Sequence, residues 1–455
     1  MKAKNMKRTK ETSWTGRGES DIIKAEEISL KGALIMLKPT KALLDFLDWE
    51  VGAFFHFGIR SFFPGHEDWD GKPMPAEKFD PKELDCRQWM EAAKAMGARY
   101  AIMTCKHHDG FALWPSEYTH YSVKNTPFGR DVVRLFVDAC WQAEMKVGLY
   151  YSPAQWGKEQ AEMTDEAYEN YFIDQLSELL GGYGKIDYLW LDGCGSEGKN
   201  YDHERITQEI RRLQPGILIF GDVLKDGADI RWIGNEEGVT GLDNSCVADR
   251  IAFSVNDEGR QTEKCFMPAE CDMRLRFSSW FDCKDNEDDL TDADELMGNY
   301  EMSVGRSCNL LINAGPNSRG LLHESDVNVM RAFGEKLRNT YGQKLPYGDV
   351  KEEKGLYVIE HPTYHAGWGY SKGVPVANRI VIEEDITKGQ HILGFRLYGR
   401  LRVSKDTRVL LYEGKYIGHK HIAVIPALAM TRVELEVTQS EGEASVRAMS
   451  AHFAK

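Results

Sequence analysis

The chain has 455 residues, enough for a large barrel and a second domain, and its apolar share of 42% is that of an ordinary folded protein. A formal net charge of −14 argues against a nucleic-acid partner, because phosphate binding needs a basic face. Nine cysteines without a CxxC pair read as buried thiols in a reducing compartment, and no stretch is long and uncharged enough to suggest a membrane partner.

Residues 1–40 are rich in Lys, Arg and Glu and carry no apolar run of signal-peptide length, so they read as a polar arm and lead-in, and the expected location is cytoplasmic. From about residue 50, short apolar runs alternate with amphipathic helical stretches. The expected strands are Val51–Phe57, Tyr100–Cys105, Val147–Tyr151, Tyr188–Asp192, Ile217–Gly221, Ile230–Gly234, Cys265–Pro268 and Asn309–Asn313. Helices are expected around Gln88–Met96 (ending at Gly97), Val132–Trp141 and Tyr168–Leu180, the last stopped by Gly181-Gly182. Eight strands in order, each with room for a helix, predict a (β/α)8-type barrel over residues 41–344. The pattern changes near Lys344-Leu345-Pro346. Residues 345–455 hold short alternating runs at 355–359, 379–383, 392–397, 408–412, 432–437 and 444–448, which predict an antiparallel β-sandwich.

The chemistry gathers at the strand ends. The run Tyr188-Leu189-Trp190-Leu191-Asp192-Gly193 carries a carboxylate to the C-terminal end of an apolar strand, where barrels of this kind place catalytic groups. With a second carboxylate from a later strand, Asp192 would make the pair that glycoside cleavage needs; the plainer alternative is a turn-capping Asp. Trp190 faces the same side by alternation and is either pocket wall or core. His107 and His108, with Trp114 beyond, suit hydrogen bonds to ring hydroxyls beside an aromatic face, and adjacent histidines on a strand end are expected to point different ways. With Asp109 they are also metal-ligand candidates, although no matching ligand pair follows at the usual spacing. The second carboxyl is expected from Glu236 or its neighbour Glu237, just past the sixth strand, where like-charge repulsion between them would suit an acid. Glu270, read at the end of the seventh strand, is a contact or supporting residue, and Trp280-Phe281 are an apolar wall or core.

Taken in order, His56-Phe57-Gly58, Lys106-His107-His108-Asp109-Gly110-Phe111, Tyr150-Tyr151-Ser152 and Trp190-Leu191-Asp192-Gly193 resemble the signature of the α-L-fucosidases of glycoside hydrolase family 29. Ser303-Val304-Gly305-Arg306, Asn309–Asn313, Gly315-Pro316 and Gly320-Leu321 resemble the family's closing segment, so the resemblance spans roughly residues 45–345. It implies a retaining, exo-acting fucosidase that needs no metal or organic cofactor, with fucosylated oligosaccharides as substrates and a trailing β-sandwich. It also implies Asp192 as the nucleophile that forms a fucosyl-enzyme. Gly234-Asn235-Glu236 is similar to a stretch of one family branch that carries the acid/base. The histidines, His56 included, are implied to bind fucose hydroxyls, with Tyr150, Trp190, Trp280, Asp68, Trp69 and Glu270 around them. Two features depart from the family: Asp68-Trp69 stands where relatives often show Glu-Trp, and no Pro-Gly precedes the aromatics of Trp280-Phe281. The competing readings are an α-L-galactosidase, a fucose-binding protein without turnover, and a metal-dependent hydrolase. A homo-oligomer is compatible with the sequence.

Overall fold

The computed structural model describes residues 37–67, 69–156, 163–196, 199, 201–221, 223–224, 227–249, 264–282, 289–364, 373–402 and 407–455. Most of the expected N-terminal arm, and Asp68, lie outside the described residues.

Helix α1 (Lys41–Trp49) opens the fold, its first turn capped by Thr40, whose hydroxyl accepts from the Leu43 N–H. Leu43, Phe46, Leu47 and Trp49 form its buried stripe. That stripe plugs the floor of the barrel: Phe46 packs edge-on against Tyr188, Trp49 lies against Tyr100, and the Phe46 carbonyl accepts from the Asn309 amide at 2.7 Å.

The barrel follows as β1 (Val51–Phe55), α2 (Cys86–Met96), β2 (Tyr100–Lys106), α3 (Val132–Gln142), β3 (Lys146–Tyr151), α4 (Asp165–Gly182), β4 (Tyr188–Leu191), α5 (His203–Leu213), β5 (Leu218–Phe220) and β6 (Arg231–Trp232). After the antiparallel hairpin β7 (Val247–Asp249) and β8 (Lys264–Phe266) come β9 (Ala269–Arg274), α6 (Ala293–Met302), β10 (Cys308–Asn313) and α7 (Glu324–Tyr341). The parallel order is β5-β4-β3-β2-β1-β10-β9-β6, and a parallel bridge from Phe220 to Ile230 brings the two ends together. Its strands are covered on both faces, which is why they read as near-continuous apolar runs.

The seventh barrel strand is Ala269–Arg274, not Cys265–Pro268. The apolar run Cys265–Met267 mimics a buried strand but belongs to the β7–β8 hairpin. The true strand carries Glu270, Asp272 and Arg274 at alternate positions, a polar pattern that hides it from an apolar-run reading. Glu270 is therefore near the start of its strand, not its end. Helix α4 runs through Gly181 and Gly182 and stops at Tyr183, because packing against the barrel outweighs the helix cost of glycine. Among the described residues no α-helix lies between β5 and β6 or between β6 and β9, and none is long and apolar enough to cross a membrane.

The C-terminal part holds β11 (Lys351–Glu353), β12 (Leu356–Glu360), β13 (Val376–Glu384), β14 (Ile392–Leu401), β15 (Arg408–Gly414), β16 (His421–Ser440) and β17 (Val446–His452). The last half of β16 pairs with β12 and β14, and its first half with β13. One 20-residue strand thus belongs to both sheets, and Ile380, Phe395, Leu397, Met430 and Val433 fill the core between them. The sandwich docks at the floor end of the barrel: the Ile422 N–H donates to the Gly305 carbonyl, Arg379 pairs with Glu301 at 2.7 Å, and Lys420 pairs with Glu50 just before β1. The sites of interest lie at the opposite end, past the C-termini of the strands.

Candidate active site

Asp192 follows the last residue of β4, and its carboxylate is held from two sides. The Cys194 N–H donates to Oδ1 at 2.9 Å, and the Tyr150 hydroxyl donates to Oδ2 at 2.5 Å. His108 Nε2 stands 3.5 Å from the same Oδ2. Donors aimed at both oxygens suit an ionised carboxylate, and its side chain keeps 21% of its surface open. The loop after it is shaped by Gly195, at φ +78: a Cβ there would meet the Trp69 ring at 2.1 Å. Trp69 uses that space to stack on His108, ring centres 5.2 Å apart.

Three histidines converge here. The Asn313 amide donates to the Trp280 carbonyl at 2.8 Å, so its oxygen is turned to accept from His56 Nδ1 at 2.8 Å. His56 Nε2 is then left with a lone pair. Ser152 donates to the Ala154 carbonyl at 2.5 Å and in turn accepts from His108 Nδ1 at 2.6 Å. Burial pushes His56 down to about 3, with the Asn313 bond pulling the other way, and it holds His107 well below the ordinary histidine range. Neutral imidazoles, each one donor and one acceptor, match the two-way hydrogen bonding of a sugar hydroxyl. His107 lies parallel to Tyr150, and its Nδ1 has no hydrogen-bond partner among the described residues.

The two adjacent histidines do not point apart as expected. Their ring centres are 4.2 Å apart, and a register shift between Thr104 and Lys106 ends the strict alternation of β2 before them. Trp114 is not the aromatic beside them; it is buried with its N–H on Glu178, and Trp69 takes that place. His107, His108 and Asp192 offer ligand atoms within 4.8 Å of one another. The Tyr150 hydroxyl already donates to the Asp192 oxygen nearest the histidines, so the donor set fits a positioned carboxylate better than a cation.

The loop after β6 carries Glu236 at φ +53, a backbone region that glutamate seldom adopts. The turn is braced by Asn235, whose side chain accepts from the Glu237 N–H and donates to the Val239 carbonyl. Glu236 is half-buried, and Arg274 Nη2 lies 3.8 Å from its Oε2; Glu237 is exposed. The Arg274 guanidinium also lies over the Trp280 ring, which packs against His56 at 4.9 Å.

Beneath this layer Trp190 is sandwiched between Tyr150 and Phe220, and its indole N–H donates to Glu270. Glu270 is fully buried, with Tyr100, Tyr188 and Trp190 all donating to it. Burial pushes its carboxyl up to about 8 despite those three bonds. Both residues support the floor; neither lines the opening. Asp272, one layer above Glu270 and absent from the expected site, accepts from Trp232 Nε1 at 2.8 Å. Its signal in the sequence was the charged alternation Glu270, Asp272, Arg274. Asn313, Ser152 and Arg274 were missed as well, because polar residues at strand ends carry no mark of the neighbour they orient.

Residues 37–343 match the family model described as Alpha-L-fucosidase. The chain belongs to the α-L-fucosidases of glycoside hydrolase family 29. This α-L-fucosidase family member is 35% identical over 416 residues to alpha-L-fucosidase 1 of Arabidopsis thaliana, covering 83% of this chain and 80% of that protein. Its fold is similar to the crystal structure of a glycoside hydrolase 29 family member from an unknown rumen bacterium, with a TM-score of 0.80, 29% identity, and 92% and 77% of the two chains covered. A Ruminococcus gnavus GH29 fucosidase in complex with fucose shares the fold at a TM-score of 0.75 and 24% identity, covering 92% of this chain and 95% of that one. The enzyme is thus a glycoside hydrolase of the α-L-fucosidase family, and its strand-end histidines and Asp192 form one cluster at the barrel mouth.

Proposed function

We propose that the enzyme is a retaining, exo-acting α-L-fucosidase that works through a covalent fucosyl-enzyme. The observation that carries this reading is the Asp192 carboxylate, fixed by Tyr150 and Cys194 beside His108 at the mouth of a family 29 barrel. Asp192 attacks the anomeric carbon while Glu236 protonates the leaving oxygen; Glu236 then takes a proton from the water that releases fucose. The half-buried position of Glu236 beside Arg274, its strained backbone and the exposure of Glu237 favour Glu236 for that role. His56, His107, His108, Trp69 and Trp280 surround the sugar, Tyr150 aligns the nucleophile, and Trp190 and Glu270 hold the floor. A fucose-bound relative of the same fold supports fucose as the glycone.

The test is hydrolysis of an aryl α-L-fucoside followed by proton NMR of the first sugar released, with Asp192→Ala as control. Prompt release of α-fucose, abolished in the variant, is expected. Release of β-fucose first would overturn the retaining mechanism, and wild-type turnover by Asp192→Ala would overturn the nucleophile.

A further inference from the structure

Trp69 reaches His108 from a backbone that few tryptophans adopt. Its φ is +63, in the left-handed region, and Gly71 is left-handed as well, at φ +66. Asp70 stands between these two positions, and its carboxylate ties the chain on either side of them. Oδ2 accepts from the Glu67 N–H at 3.1 Å, and Oδ1 accepts from the Lys72 N–H at 2.9 Å. The side chain of Asp70 is only 11% exposed, so water competes little for those two donors. The turn is joined to the rest of the site at two points. Buried Arg60 donates from Nη2 to the His66 carbonyl at 2.8 Å, and its guanidinium lies over the Phe281 ring, which meets His56 and His107 edge-on. At the tip, the Trp69 ring fills the notch over Gly195, stacks on His108 and meets Trp156 edge-on, ring centres 5.6 Å apart.

We propose that Asp70 is a positioning residue for the reaction: its carboxylate clamps Glu67 and Lys72 around Trp69 and so holds the indole over His108 as a wall of the sugar site. This rests on the proposed function, in which Trp69 faces the bound sugar. A left-handed tryptophan persists only where its surroundings over-determine it. Packing alone does not, because Trp69 keeps 39% of its surface open and touches rings on part of its outline only. The two bonds to Asp70 supply the rest. Both are charge-assisted, and each is stronger than a neutral pair would be. The Lys72 ammonium also stands 3.1 Å from Oδ2, but it is mostly exposed and adds little. The clamp acts on binding rather than on the chemical step. His108 keeps its own anchor on Ser152, and Asp192 keeps Tyr150 and Cys194, so the nucleophile stays aligned when the turn relaxes. A wall that meets substrate and transition state alike changes KM and leaves kcat in place.

The experiment is a double-mutant cycle with Asp70→Ala, Trp69→Ala and the pair, read as kcat and KM on an aryl α-L-fucoside and as the Kd of fucose by titration calorimetry. Asp70→Ala should raise KM and Kd about tenfold, with kcat within about twofold of wild type. The unfolding midpoint should stay in place, because the residues of this turn lie outside the hydrophobic core. Asp70→Asn, which keeps one of the two acceptor oxygens, should fall between wild type and Asp70→Ala. In the Trp69→Ala background, Asp70→Ala should change KM and Kd by less than about twofold, since the clamp then holds nothing. Unchanged KM and Kd in Asp70→Ala overturn the proposal. Effects that multiply across the cycle overturn it too, because Asp70 would then act by a route other than Trp69. So does a fall in kcat together with a lower unfolding midpoint, the mark of a general defect. Wild-type KM and Kd in Trp69→Ala would show that Trp69 does not face the sugar, and the reading beneath would fail. If Trp69→Ala weakens binding and Asp70→Ala does not, the Asp70 inference alone fails. If the wild type binds fucose without turning over the fucoside, the proposed function fails, and the Kd cycle still decides the role of Asp70.

Discussion

Glu270→Gln should remove a pH-dependent weakness from the barrel. Burial lifts the Glu270 carboxyl from 4.5 in the unfolded reference to about 8 in the fold. Between those values the folded chain holds a proton that the unfolded chain has released. The contribution to stability is therefore complete below 4.5 and is lost as pH rises toward 8. At about 1.4 kcal/mol per pH unit, the span from about pH 5.5 to about pH 8 lowers stability by about 3 kcal/mol. Glutamine titrates nowhere in this range, and it keeps an acceptor for the Tyr188 and Trp190 donors, both at 3.1 Å. Urea unfolding followed by tryptophan fluorescence at both pH values reads the difference. With a slope of about 3 kcal/mol per molar urea, the wild-type midpoint should fall by about 1 M more than that of the variant over this span. Asp272, which burial also lifts, adds its own slope to both proteins and cancels. Midpoints that fall in parallel would refute the reasoning, because they would mean that Glu270 does not exchange a proton on unfolding.

Gly195→Ala combines a positive φ with a Cβ placed 2.1 Å from the Trp69 ring, so it should push Trp69 off His108. The expected result is a loss of about tenfold or more in kcat/KM on an aryl fucoside, with little change in unfolding midpoint. Asn313→Ala strips the acceptor from His56 Nδ1 and frees its tautomer. The loss of that buried bond, about 1–3 kcal/mol, corresponds to a fall in kcat/KM of roughly five- to hundredfold, read by steady-state kinetics. Exhaustive dialysis against a chelator should leave kcat/KM unchanged; loss of activity restored by added zinc would instead make His107, His108 and Asp192 a metal centre.

Much of the site was legible because its marks are local. Asp192 ends an apolar strand and precedes a glycine loop, and the histidine motifs close the first two strands in the same way, so each is visible within six residues. The seventh strand was not. Its inward positions are Glu270, Asp272 and Arg274, which a barrel interior accepts only when other strands supply partners: Tyr100, Tyr188 and Trp190 for the first, and Trp232 for the second. The neighbouring hairpin, apolar by composition, took its place in the reading. The first half of β16 was likewise unmarked, since a strand that changes sheets buries one face and then another.

The sequence by itself determined seven of the eight barrel strands, the change to a β-sandwich past Lys344, and which of those strand ends carry carboxylates and imidazoles. Those follow from periodicity and turn chemistry, which act over a few residues. Only the tertiary structure decided which groups share an environment. The His56 tautomer depends on Asn313, 257 positions away, and the protonation of Glu270 depends on its burial in the barrel, against a hydrogen bond from Tyr100, 170 positions away. That Glu236 is half-buried while Glu237 is exposed depends on a turn braced by Asn235. Desolvation and electrostatic fields are sums over neighbours in space, and the barrel brings those neighbours together only when it closes.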